Sequence, residues 1–82
     1  MPYYVYMIKT IGSNYSKSYV GYTNDIKRRI KKHNENKGAK STKGFKWKLI
    51  FHRKFLSKSA AMSYEYKLKK NKIKRKKIIN KK

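Results

Sequence analysis

Arg29 and His33 stand four residues apart, one turn of a helix, where two side chains can act on the same group. Ile26 and Ile30 would form the apolar stripe of that helix. At 100° per residue, Arg29 lies about 60° and His33 about 20° from Ile26, so both face the protein body. Arg28 projects about 160° away, into solvent with Lys32. An inward arginine suits a phosphate, which it can grip through two parallel N–H bonds. A later segment repeats the arrangement with the opposite charge. Ala61, Tyr64 and Leu68 make a stripe, and Glu65 borders it at about 40–60°. Glu65 is one of only three acids in the chain. A carboxylate held at the core of so basic a protein is a candidate ligand for a divalent ion such as Mg2+. Tyr3, Tyr4, Tyr6 and Tyr19 lie in strand-like segments, and buried phenols need hydrogen-bond partners. A cation, an imidazole, an acid and phenols converging at one sheet edge outline metal-assisted phosphodiester hydrolysis. The plainer alternative is a structural Arg29–Glu65 ion pair at the core rim, with His33 and the tyrosines in ordinary structural places.

These side chains need elements to hold them. Residues 3–9 are aromatic, β-branched or apolar on both alternating faces except at the terminal lysine, which predicts a strand covered on both sides and central in its sheet. Residues 10–17, with Gly12, Ser13, Asn14 and Ser16, carry turn chemistry. Residues 18–22 predict a second strand paired to the first as a hairpin, in which Gly21 marks a bulge or a close backbone approach. Thr23 or Asn24 is the expected cap of the first helix, with Asp25 in its first turn and an end near Asn36, before Gly38. Residues 37–44 read as a small basic loop. From Phe45 to Phe55 apolar residues dominate the odd positions and polar ones the even, the pattern of a half-buried strand. Ser57 caps a second helix through Leu68. The remainder is dominated by lysine and arginine, and reads as a frayed tail or a short third helix. The expected fold is α+β, a three-stranded antiparallel sheet flanked by helices, with one domain over residues 1–70 and the basic segment over 71–82.

Composition narrows the partner. The chain has 82 residues, 25 Lys and Arg, three Asp and Glu, and a net charge of +22. That length holds one small domain. Self-repulsion on this scale is tolerated where the normal partner is a polyanion, and nucleic acid is the leading polyanion because phosphate contacts release counterions. Without cysteine, neither disulfides nor a cysteine zinc site supports the fold, and His33 and His52 make no zinc spacing. The longest uncharged apolar stretch, Pro2 to Ile8, falls far short of the roughly 20 residues of a membrane span. The same stretch is too tyrosine-rich for a signal peptide. The expectation is a cytoplasmic protein with no membrane partner and no obligate protein partner.

The ordered set of residues also resembles a known family. Tyr4-Val5-Tyr6, then Tyr19-Val20-Gly21-Tyr22-Thr23, Arg28-Arg29, His33-Asn34, the segment Asn36-Lys37-Gly38-Ala39-Lys40-Ser41-Thr42 and finally Glu65 are similar to the GIY-YIG nuclease superfamily. Within it they resemble most the short stand-alone members. The resemblance spans roughly residues 3–70. It implies metal-dependent cleavage of DNA phosphodiesters by Tyr6, Tyr19, Arg29, His33 and Glu65. Glu65 would bind a single Mg2+ (or Mn2+), and Tyr6 would take a proton from the attacking water with help from His33. Arg29 would hold the phosphate, and Tyr19 would orient phosphate or water. Tyr4 replaces the glycine of the first motif, and Tyr22 stands where some members carry lysine. Asn71 stands near where relatives often have an aromatic residue. Larger members carry separate DNA-binding domains. Here Lys37, Lys40 and Lys43 of the loop, with Lys69, Lys70, Lys72, Lys74, Arg75, Lys76 and Lys77, are expected to hold phosphates without reading bases. The implied activity is an endonuclease of little sequence preference on double-stranded, branched or single-stranded DNA. The alternative is a non-enzymatic DNA- or RNA-binding module on the same scaffold.

Overall fold

The computed structural model describes residues 2–12, 17–38 and 40–80. Three strands, β1 (Tyr3–Ile11), β2 (Ser18–Thr23) and β3 (Lys46–Phe55), form one antiparallel sheet in the order β2-β1-β3. Helix α1 (Ile26–Asn34) follows the hairpin, and α2 (Lys58–Lys70) and α3 (Lys72–Asn80) follow β3. A single 3₁₀ turn, Lys40–Thr42, lies in the connection before β3. The architecture is the expected three-stranded α+β fold, and β1 is central. Its residues Val5, Met7, Tyr6 and Ile8 are all buried, as a strand covered on both faces requires. Among the described residues no helix is long and apolar enough to cross a membrane.

The two faces of β1 own separate cores. Val5 and Met7 pack with Val20, Ala61 and Leu68, joined by Phe51, Phe55, Tyr64, Ile78 and Ile79, beneath α2 and α3. Tyr6 and Ile8 pack with Trp47, Tyr19, Ile30, Phe45 and Leu49, beneath α1. The odd positions of β3 therefore do not share one face, as uniform alternation implied. Leu49 pairs with Ile8 but Phe51 pairs with Met7, so Ile50 is an extra residue, a bulge opposite the Met7/Ile8 step. That insertion turns Trp47 and Leu49 toward α1 and Phe51 and Phe55 toward α2. Gly21, in contrast, sits in regular β1–β2 register opposite Tyr6, so it marks a close approach and not a bulge.

Several boundaries are corrected by local hydrogen bonding. Strand β1 extends through Thr10 and Ile11, because Thr10 N–H bonds Lys17 C=O and its Oγ1 accepts from Lys17 N–H, each at 3.0 Å. The expected turn residues Ser13, Asn14 and Ser16 lie outside the described residues. Asp25, not Thr23 or Asn24, caps α1: its extended backbone turns the carboxylate back to accept from Arg28 N–H at 3.1 Å. Thr23 Oγ1 instead accepts from Asp25 N–H and fixes the cap. The helix ends at Asn34, earlier than Asn36, because Asn36 adopts φ 64° and turns the chain away. Ser57 caps α2 as expected, accepting from Ala60 N–H. Asn71 joins α2 to α3, and its side chain accepts from Lys74 N–H at 3.0 Å.

Candidate active site

The site begins with the face on which β1 presents Tyr6. Its neighbour across the hairpin is Gly21, and a methyl group there would stand 2.6 Å from the Tyr6 hydroxyl and 3.1 Å from the Tyr19 ring. Only a glycine lets the ring lie flat across β2. Tyr19 leans against the same place, its ring 6.4 Å from that of Tyr6 and 5.1 Å from the imidazole of His33. Helix α1 then supplies the two residues expected to face inward. Arg29 Nε donates to the Tyr6 hydroxyl oxygen at 3.2 Å, and His33 Nε2 lies 2.8 Å from the same oxygen.

Loop 37–44 completes the imidazole's surroundings. The 3₁₀ turn carries Thr42 inward, where its Oγ1 lies 2.9 Å from His33 Nδ1. The Thr42 carbonyl accepts from the Trp47 indole at 2.9 Å. Asn34 holds this corner to the sheet, accepting from Trp47 N–H at 2.6 Å and donating to Trp47 C=O at 3.2 Å. Asn36 closes the loop by accepting from Gly44 N–H at 2.8 Å. Gly38 lies against the face of His33, where a methyl group would collide with Nδ1. The expected helix stop is therefore a packing position, and the left-handed turn belongs to Asn36.

The bonding pattern assigns the protons. A guanidinium can only donate, so the Tyr6 oxygen accepts from Arg29. Pointing its own hydrogen at His33 Nε2 gives every group in the chain a partner, and we assign the protons on that ground. Nδ1 then carries the ring hydrogen and donates to Thr42 Oγ1. Tyr6 and His33 are both 0% exposed. Burial pushes the Tyr6 phenol up to about 12, opposed by the Arg29 hydrogen bond and charge. Burial, reinforced by the Arg29 charge, lowers His33 to about 4. Arg29 itself is raised, chiefly by its bond to Tyr6. At neutral pH the group is a neutral phenol, a neutral imidazole and a cation in one chain of hydrogen bonds.

Glu65 approaches from the other layer. It lies on α2, its ion pair runs to Lys69 at 3.2 Å and not to Arg29, and its side chain is 16% exposed. Its negative charge adds to the upward pressure on the Tyr6 phenol. The geometry thus joins Tyr6, Arg29 and His33 by hydrogen bonds and Tyr19 by ring contact, while Glu65 acts on Tyr6 through its field. Among the described residues no three His, Asp, Glu or Cys side chains cluster as a metal cage. An oxygen-seeking ion would have one carboxylate here and would draw its other ligands from water and phosphate. That fits the way Mg2+ is bound by one or two carboxylates plus substrate phosphates.

Beside Arg29 a cleft of about 200 Å³ opens between the end of β2 and α1, lined by Thr23, Asn24, Asp25, Arg28, Arg29 and Lys32. Arg28 and Lys32, which the helical angles send to solvent, therefore form its walls. Lys37, Lys40 and Lys43 are exposed around the loop, and Lys69, Lys70, Lys72, Lys74, Lys76 and Lys77 along α2 and α3. Lys74 covers the Tyr64 ring at 5.2 Å. Arg75 is half-buried, and its Nε is enclosed without a hydrogen-bond partner. Tyr22 packs against the α2-side core. Thr42, Asn34 and Trp47 have no role in the helical-angle reading. The signal for Thr42 was its place in the glycine-containing segment after His33-Asn34.

Comparisons with known proteins agree with the fold and give the family. The model of the GIY-YIG catalytic domain matches residues 2–78. The UPF0213 protein BH0048 of Halalkalibacterium halodurans is 43% identical over 70 residues, covering 84% of this chain and 71% of that protein. The UPF0213 protein YazA of Bacillus subtilis is 40% identical over 77 residues, covering 93% and 75%. The solution NMR structure of BH0048 superposes with a TM-score of 0.54 at 38% identity, covering all of this chain and 86% of that one. The chain belongs to the GIY-YIG family, alongside the small single-domain UPF0213 proteins.

Proposed function

We propose that the protein is a divalent-metal-dependent endonuclease that hydrolyses DNA phosphodiester bonds with little sequence preference. The observation that carries this reading is the hydrogen-bonded chain Arg29–Tyr6–His33–Thr42 in a member of a nuclease-type family. Backbone phosphates would enter the Arg28–Lys32 cleft, where Arg29 is within reach of both the phosphate and Tyr6. In the unbound protein the Tyr6 hydroxyl is closed to solvent beneath Arg29. An arriving phosphate competes for the guanidinium and uncovers that oxygen.

The attacking water then gives a proton to the Tyr6 oxygen while Tyr6 passes its own hydrogen to His33 Nε2. No free phenolate forms, so a phenol pKa of about 12 does not limit the transfer. The proton ends on His33, whose basicity burial and the Arg29 charge hold down at about 4 in the unbound protein. The arriving phosphate, by drawing Arg29 off and bringing negative charge, would raise it. Thr42 holds Nδ1–H and keeps Nε2 the accepting nitrogen. Arg29 offsets charge growing on the phosphate oxygens, and Tyr19 supports the positions of Tyr6 and His33. Glu65 would hold Mg2+ or Mn2+, exchanging its exposed pairing with Lys69. A bound ion supplies charge neutralisation at the phosphate and the leaving oxygen.

The test is cleavage of plasmid and of branched and single-stranded DNA with Mg2+ or Mn2+, comparing wild type with Glu65→Ala and Arg29→Ala. Wild type should cut and both variants should lose most of the rate. If purified wild type cuts no better than either, the catalytic reading fails. The closed Tyr6 hydroxyl favours one second reading, a DNA- or RNA-binding module without chemistry. It predicts steeply salt-dependent binding, no metal requirement and no cleavage.

A further inference from the structure

Tyr66 is an exposed aromatic ring outside both cores. Tyr64 packs on Phe51 and Phe55 and is capped by Arg53 and Lys74. Tyr66, two residues on, is 58% exposed, and Ile73 across the α2–α3 joint is 71% exposed. Between them runs an open groove of about 500 Å³ lined by Tyr66, Lys67, Lys70, Asn71, Lys72 and Ile73. The Asn71 cap fixes the two helices that form its walls. Lys70 Nζ lies 4.6 Å from the Tyr66 ring centre on one side. The groove contains an aromatic plane, an aliphatic side chain, three ammonium groups and no acid.

We propose that this groove binds an unpaired nucleotide of a single-stranded segment, its base stacked on Tyr66 against Ile73 and its flanking phosphates on Lys67, Lys70 and Lys72. Lysines alone hold phosphates of any strand and leave Tyr66 and Ile73 without a function. A paired base keeps its faces inside the duplex, so only an unpaired one can use the exposed ring. Charge complementarity selects the occupant: the apolar surface is one ring and one branched side chain, set among three lysines. Tyr66 directly follows Glu65 in α2 but points about 100° further round the helix, and the groove shares no lining residue with the cleft beside Arg29. The inference rests on the reading of the chain as a DNA-acting protein, though not on its catalysis. It directs the activity toward junctions, flaps and single strands.

The test is a titration of the full chain, followed by fluorescence anisotropy, with three probes: a thymidine oligonucleotide, an abasic strand of the same length and charge, and a duplex. Wild type should prefer the base-bearing strand over the abasic one by about fivefold or more, the range for stacking one base on an aromatic ring. Tyr66→Ala should erase that preference and leave abasic and duplex binding unchanged, whereas Tyr66→Phe should keep it. A 2-aminopurine in the strand should be quenched by wild type and not by Tyr66→Ala. Equal binding of abasic and base-bearing strands by wild type overturns the inference, as does an undiminished preference in Tyr66→Ala. It is overturned equally if Tyr66→Ala loses binding to phosphatidylserine vesicles and keeps its preference on DNA. Stacking without cleavage would sustain the inference and sink the nuclease reading, and failure to bind any polynucleotide would sink both.

Discussion

Replacing Thr42 by valine removes one oxygen from a fully buried position and leaves its shape nearly unchanged. His33 Nδ1–H then faces a methyl group in place of Oγ1, 2.9 Å away in the wild type. The ring has two choices. Keeping its hydrogen on Nδ1 leaves that donor buried without an acceptor. Moving it to Nε2 points two donors, from His33 and Arg29, at the Tyr6 oxygen and strands the phenolic hydrogen instead. Either way one buried donor is orphaned, a cost of about 1–3 kcal/mol. For a domain of this size each kcal/mol lowers the melting temperature by about 4–8 °C, so the expected fall is roughly 4 to 24 °C. The Trp47 indole still bonds the Thr42 main-chain carbonyl, so the loop itself should stay folded. Calorimetry reads the melting temperature, and the imidazole nitrogen chemical shifts of His33 read the tautomer. Thr42→Ser should preserve the tautomer. If Thr42→Val melts with the wild type and keeps the same ring-nitrogen shifts, the proton assignment is wrong.

Stability should fall on both sides of neutrality. An unfolded imidazole takes up a proton near its ordinary pKa of 6.5, while folded His33 resists until about 4, so stability is lost as pH drops through that window, by about 3 kcal/mol. Denaturant titrations should show this slope flattened in His33→Gln. For Tyr6 the sign reverses: the folded phenol keeps its proton to about 12, so its contribution is complete below pH 10 and disappears between 10 and 12. Phenolate absorbance of wild type against Tyr6→Phe will follow that titration. Gly38→Ala should drive a methyl group into the His33 ring and cost about 1–3 kcal/mol of overpacking, visible as a lower melting temperature and a shifted His33 resonance.

Much of the fold follows from patterns short enough to be local. The doubly apolar run of Tyr3 to Ile8 identifies the central strand, and Ile26 with Ile30 orients α1 well enough to send Arg29 and His33 inward. What periodicity misses is where a pattern persists while the structure changes beneath it. Phe45, Trp47, Leu49, Phe51 and Phe55 all stand at odd positions, yet the Ile50 bulge divides them between two cores. Helical angles likewise describe one helix and not its neighbour, so Arg28 and Lys32 count as solvent-facing although β2's end makes a cleft against them. Thr42 is the hardest case. Its hydroxyl reaches His33 only because Asn36 turns the chain and a single 3₁₀ turn brings it back, and neither step has a periodic signature. Glu65 was rightly expected at the core margin, but its ion pair is local, with Lys69; side-chain reach decides that, and residue spacing does not.

The central claim is that the Tyr6 oxygen transfers the proton of the attacking water. Tyr6→Phe keeps the ring and removes only that oxygen, and Arg29, His33 and Glu65 all remain. Single-turnover cleavage of a DNA substrate saturated with protein and Mn2+ measures its effect free of binding. The account predicts a loss of about a hundredfold or more, the scale of a positioned proton acceptor, with DNA affinity unchanged. Cleavage by Tyr6→Phe at the wild-type rate would contradict it.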